Sequence, residues 1–356
     1  MCSYLRSKLT FFSAAILFTT SCSAPPPKPL SARPVGKPVS IPIPLGLPPL
    51  PVPANNPPTA ETIALGEKLF FSTSLSVDNT IACASCHDPG KGFSDGQPVS
   101  TGVGGKKGNR SAPTVLNAAY AQFQFWDGRV DSLEAQAKGP IANPIEMAHT
   151  LEGAAKKVAL DEGLRKMFEA GFGTDLQGQS AVTIERIAAA IASFERTLLR
   201  GNSPFDRYQY GGDQKAISAA AKRGLAAFRD AKKGNCAVCH TIEEKFALFT
   251  DNKFHNLGSG MNAAGELTDM GRFAISKREG DQGAFRTPTL RNIAETAPYM
   301  HDGSLKTLKE VVDFYVGGGN ANPHLDKEIK SLDHLTKQER ADLVAFMEAL
   351  TGVPAK

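Results

Sequence analysis

Several features are scarce in this chain, and each scarcity removes a class of protein. Beyond the first 22 residues no run reaches the roughly 18 uninterrupted apolar residues that spanning a bilayer requires, which excludes a polytopic membrane protein. An excess of either charge is also lacking. Lys+Arg 40 stands against Asp+Glu 36, and the formal +4 falls to +2 once Arg6 and Lys8 are set aside with the N-terminal leader. Phosphate binding needs a concentrated basic face, so nucleic acid is excluded as the main partner. Tryptophan occurs once, as Trp126. Cysteine is sparse as well: of six, Cys2 and Cys22 lie in or at the end of the leader, leaving Cys83, Cys86, Cys236 and Cys239. What remains is ordinary for a soluble chain with a real core, 41% hydrophobic and 21% charged. A length of 356 residues fits about two domains.

Residues 1–22 read as a secretory signal peptide: Arg6 and Lys8, then the apolar stretch Thr10–Thr20, then small residues. The end of this segment also reads as a lipoprotein signal, with Cys22 as an acylated N-terminus. Thr19, however, stands where such boxes usually hold Leu, and the alternative is soluble export with cleavage near Ala24. Both versions export the protein. Residues 23–58 hold fourteen of the 24 prolines, which precludes helix and predicts an extended, semi-rigid tether. Its later part, Leu47 to Pro53, is apolar enough to lie against the folded body.

Beyond the tether one plan occurs twice. A helix-like segment at Ala64–Phe70 precedes Cys83-Ala84-Ser85-Cys86-His87, and the copy closes with Thr183–Leu199, apolar at helical spacing. The second copy opens with Ala221–Phe228, then Cys236-Ala237-Val238-Cys239-His240, and closes with Thr336–Leu350, where Thr336 and Glu339 suit a capping box. His240 follows His87 by 153 positions (240 − 87), a domain's length. Gly-, Pro- and Asn-rich stretches between these helices predict long ordered loops, and no alternating run predicts a large sheet. The expectation is a mostly α protein of two similar domains, residues 59–205 and 206–356.

Cys-x-x-Cys-His is the attachment motif of c-type haem: each cysteine adds to a porphyrin vinyl group and the histidine ligates iron. A redox dithiol has no use for two copies each followed by histidine, and zinc would want all four ligands converging. The expected cofactors are therefore two covalent haems, on Cys83, Cys86 and His87 and on Cys236, Cys239 and His240. What lies opposite each iron then decides between an electron carrier and an enzyme, because only an open position admits substrate.

Further blocks carry a family resemblance: Ala112 to Asn117, Phe125-Trp126-Asp127-Gly128-Arg129, Gly139-Pro140-Ile141 through Glu146-Met147, Arg286 to Asn292, and Ala297 to Gly303. On these the chain resembles the bacterial di-haem cytochrome c peroxidase and MauG superfamily, from about Leu47 to Gly352. The resemblance implies two cytochrome-c-like domains, the N-terminal haem reacting with hydrogen peroxide and the C-terminal haem transferring electrons, with Trp126 as a relay between them. It implies Glu146 as the acid/base over the first iron, Gln136 as a distal-pocket amide and Pro140 as a pocket wall. It also implies a periplasmic location and a protein partner, either electron donor or substrate.

Two departures narrow the branch. Conventional members close the first haem with a histidine from the loop matching Pro98–Arg110, which here contains none; the first iron is expected to be open without prior reduction. Where those peroxidases supply an axial Met, this chain has Tyr315, as MauG does, and an anionic phenolate lowers the second haem's potential. Met300 is read as packing, His301 as lining a haem edge and His255 as a propionate partner. A calcium ion between the domains, held by the carbonyls of Thr296 and Pro298, is a further expectation; Ser111 replaces the family's Asn ligand, with Asn109 close by. The function expected is peroxide-driven oxidation of a protein partner, the MauG-like reading. The alternative is a peroxidase that reduces peroxide to water with electrons from a small cytochrome or copper protein.

Overall fold

Hydroxyl and carboxylate side chains start nearly every long helix. Thr59, Ser132, Thr150, Asp161, Thr183, Ser203, Ser218, Thr307 and Thr336 each accept a hydrogen bond from the backbone N–H three residues on, satisfying one of the donors a helix start leaves free. The computed structural model describes residues 30–174 and 179–355, so the signal peptide and Cys22 lie outside the described residues. The helices are α1 (Ala60–Phe70), α2 (Cys83–Cys86), α3 (Leu133–Ala142), α4 (Leu151–Val158), α5 (Glu162–Phe172), α6 (Ile184–Glu195), α7 (Pro204–Gln209), α8 (Ala219–Arg229), α9 (Phe273–Ser276), α10 (Leu308–Val316) and α11 (Lys337–Glu348). Among the described residues the one sheet is a pair of short antiparallel strands, β1 (Phe254–Asn256) and β2 (Ala284–Arg286), with His255 opposite Phe285. The Thr336–Glu339 capping box is present.

The internal repeat is visible in packing. α1 crosses α6, and α8 crosses α11, each at a glycine. A Cβ on Gly66 would lie 1.9 Å from the Ala190 carbonyl oxygen, and one on Gly224 would lie 1.9 Å from that of Asp342. Phenylalanines four positions on, Phe70 and Phe228, meet Phe194 and Phe346 with ring centroids 5.3 and 5.0 Å apart. Around the first crossing lie Leu65, Leu69, Ile187 and Ile191; around the second, Leu225, Leu343 and Met347. Phe205 of α7 already belongs to the second core. Because backbone faces the missing Cβ, Gly224→Ala is expected to cost about 1–3 kcal/mol or more by overpacking. Urea unfolding of the haem-loaded protein checks this, with an unchanged midpoint as the contrary result.

The proline-rich segment departs from the expected tether. From Ser31 it is laid along the body. The Ser31 carbonyl accepts from buried Arg186 (2.9 Å), and Val35 N–H donates to the Gly171 carbonyl (3.0 Å). Further on, the Leu45 carbonyl accepts from Asn202 N–H (2.7 Å), and the Gly46 carbonyl accepts from Arg291, which also pairs twice with Asp206 at 2.9 Å. The reason is chemical. Proline removes N–H donors and keeps carbonyls, so such a chain is a row of acceptors for buried guanidinium and amide groups.

Candidate active site

The two Cys-x-x-Cys-His segments form single turns that end on their histidines. His87 N–H bonds back to the Cys83 carbonyl (3.0 Å), and His240 N–H to that of Cys236 (2.9 Å). A carbonyl can only accept, so His87 Nδ1 donates to Phe93 O (3.2 Å) and His240 Nδ1 to Phe249 O (2.9 Å). This leaves each Nε2 as a lone-pair donor, the tautomer a metal needs, and burial lowers both imidazole pKa values and keeps the rings neutral. Phe70 and Phe228 lie 6.4 and 6.5 Å from the two rings, the same placement in both repeats. Each motif opens into a cavity, of about 250 Å³ at His87 and about 300 Å³ at His240. Walls of mostly aliphatic and aromatic side chains, a cysteine pair and an oriented imidazole fit haem c at both.

Gln136, Pro140, Asn143, Glu146 and Arg129 line the first cavity with His87, so the expected distal residues converge on it. Glu146 follows α3, and its Oε1 accepts from Asn143 Nδ2 (2.7 Å). Burial raises its pKa above the usual carboxylate range, while the Asn143 bond and the Arg129 charge pull it partly back. The histidine-free loop holds this carboxylate's backbone from outside. Val103 N–H donates to the Glu146 carbonyl (2.9 Å), and a Cβ on Gly102 would lie 1.9 Å from the Ile145 carbonyl oxygen.

Tyr315, projecting from α10, lines the second cavity with His240, Met300 and His301. Burial raises its phenol pKa well above the ordinary range. Its ionisation therefore needs a cation beside it. His301 is buried and stacks on Phe285 with ring centroids 3.7 Å apart. The expectation for His255 is corrected: Nδ1 meets Asp326 (2.5 Å) and Nε2 meets Asp251 (2.9 Å), so both nitrogens are occupied. The Cys239 sulfur and the two carboxylates push the imidazole pKa up to about 10, and neither ring nitrogen is left for a propionate. The only three-residue His/Cys/Asp/Glu grouping among the described residues close enough to hold a metal is Cys239, Asp251 and His255, and its sulfur belongs to a haem motif. Of the expected calcium residues, Thr296 and Pro298 line the second cavity and Asn109 the first, while the Ser111 hydroxyl donates to Gln97 O (3.4 Å).

Trp126 lines both cavities. Its indole N–H donates to the Ser111 carbonyl (2.9 Å), and its own carbonyl accepts from Arg286 N–H (2.9 Å). Next to it, Arg110 pairs with Asp127 (2.6 Å) and, across the domain boundary, with Asp269 (2.7 and 2.9 Å). Sequence reasoning missed three residues. Glu195 is 4% exposed on the first cavity, has one unpartnered carboxylate oxygen, and is pushed up to about 8 by burial. Arg129, laid on the Phe125 ring at 3.3 Å, is the second, and Arg286 the third. Arg129 and Arg286 stand in the blocks quoted for the resemblance, but nothing local to the sequence separates Glu195 from an ordinary acid at a helix end.

Comparison with known proteins agrees with this geometry. Residues 60–215 match the di-haem cytochrome c peroxidase family and residues 221–351 the cytochrome c family. The methylamine utilization protein MauG of Methylorubrum extorquens is 40% identical over 306 residues, covering 86% of this chain and 82% of its own. The cytochrome c551 peroxidase of Nitrosomonas europaea is 37% identical, covering 85% and 83%. A crystal structure of a MauG-like protein associated with microbial copper homeostasis superposes with a TM-score of 0.76 at 33% identity, over 87% of this chain and 95% of that one. Matched across both halves by relatives of either name, the chain belongs to the di-haem cytochrome c peroxidase and MauG family of haem enzymes.

Proposed function

We propose that this chain is an exported, periplasmic enzyme that uses hydrogen peroxide to oxidise a protein partner, in the manner of MauG. Cys83, Cys86 and His87 would hold one haem c, and Cys236, Cys239, His240 and Tyr315 a second; these haems would supply the redox chemistry. Hydrogen peroxide takes two electrons and two protons and leaves as two waters, and the electrons come from the partner. Glu146 takes the proton from the oxygen of peroxide that attacks and returns it to the oxygen that departs. Asn143 holds that carboxylate, and Gln136 and Arg129 present polar groups to the same space. The Trp126 indole is the stepping stone for electrons between the halves. A calcium ion on the carbonyls of Thr296 and Pro298, with Asn109, belongs to the same proposal, as does a lipid anchor at Cys22.

The observation that carries this choice is Tyr315 in the wall of the cavity that holds His240. An anionic oxygen ligand stabilises the oxidised iron, which favours storing oxidising equivalents over accepting electrons from a high-potential donor. Stopped-flow mixing of the resting protein with peroxide, followed by reduced cytochrome c, tests it. A long-lived oxidised state that ignores the cytochrome is expected. Rapid steady-state consumption of peroxide and cytochrome points instead to a conventional peroxidase.

A further inference from the structure

Arg286 ends β2 in an unusual electrostatic position. Arg196 and Arg272 also leave a buried nitrogen without a hydrogen bond, but Arg196 pairs with Glu134 and Arg272 Nη1 donates to the carbonyls of Asp127 and Gly128. Arg291 pairs with Asp206, Arg110 with Asp127 and Asp269, and Arg186 donates to the carbonyls of Ser31, Ala181 and Phe172. Arg286 has one bond, from Nη1 to the carbonyl of its neighbour Thr287 at 3.3 Å, and its buried Nε has no partner. Burial alone lowers its pKa, to about 10, with no carboxylate opposing the shift. Yet it lies in the wall common to both cavities, beside Trp126. Arg286 is half-buried with its Nε enclosed; a guanidinium so desolvated is unfavourable without an anion, and its planar fork of donors suits carboxylates. Each haem c brings two carboxylates, its propionates.

We propose that Arg286 is the shared counter-ion of the two haems, donating to propionates from both sides of the common wall and joining the two cofactors electrostatically alongside Trp126. The proposal rests on the reading above that both cavities hold haem. A fixed positive charge beside an iron centre disfavours its oxidised form and raises its potential. Arg286 therefore raises both potentials together, keeping the two centres matched for charge sharing.

The test is potentiometric titration of the holoprotein and of Arg286→Gln, with covalent haem counted by mass in each. Gln keeps much of the shape and loses the charge. Both midpoint potentials are expected to fall in R286Q, and R286K, which keeps the charge, is expected to restore most of each. A shift at one haem only, or at neither, with both haems attached, overturns the proposal. Should R286Q load haem poorly, R286K decides the matter through the propionate vibrations in resonance Raman spectra. Bands of both haems should shift as a fork is replaced by a point donor, and bands unchanged at either haem overturn the sharing. A wild-type protein lacking two covalent haems would instead sink the functional reading, so the two failures are distinguishable.

Discussion

Glu146→Gln is expected to slow the reaction with hydrogen peroxide by about 10²–10⁴-fold, the usual contribution of a positioned acid/base, while both haems stay attached. Gln has the same shape and still offers an oxygen to Asn143, so the loss isolates proton transfer from packing. The pH dependence is a second handle. Burial favours the protonated carboxyl and raises its pKa, so at low pH the base is blocked. The rate should climb as pH passes through that raised pKa and then level off. In E146Q this limb should be missing. Stopped-flow traces over a pH series check both statements, and a variant with the parent's rates and profile removes Glu146 from the mechanism.

Tyr315→Met is expected to raise the midpoint potential of the second haem by a few tenths of a volt, within the span of about 0.8 V that axial ligands command. The sign follows from charge. A phenolate places a negative oxygen on the iron and stabilises its oxidised form, whereas a thioether is neutral and soft. Burial disfavours the ionised phenol here, so as a ligand Tyr315 would need the iron's charge to become anionic. The same substitution should let reduced cytochrome c donate electrons faster, moving the enzyme toward ordinary peroxide reduction. Redox titration monitored in the haem bands measures the shift. An unchanged potential would transfer attention to Met300, which lines the same cavity from a backbone with φ 71°.

The local parts of this protein are legible because their signals are local. Cys-x-x-Cys-His puts two thiols and an imidazole within one turn, and a helix announces itself through a cap and a repeating apolar face, as Thr336 with Glu339 does ahead of Leu343, Phe346 and Met347. Family blocks point to Glu146 and Trp126, the departure from the peroxidases' Met points to Tyr315, and the structure brings each of them to a cavity. The proline-rich segment is harder to read, because composition reports the absence of helix and says nothing about which buried donors will claim its carbonyls. His255 defeats a local reading because Asp326, 71 positions away, is invisible to any short pattern.

By itself, then, the sequence determined two helical units and two Cys-x-x-Cys-His turns, since each depends on neighbours within a few residues. The fold alone decided where those units face one another. Close packing at Gly66 and Gly224 seats the helices, Arg110 reaches 159 positions to Asp269, and Trp126 and Arg286 come to rest in a single wall between two cavities. Contacts between residues so far apart in the chain arise when two apolar cores form and their remaining charges must find partners, and no short window of sequence encodes that pairing.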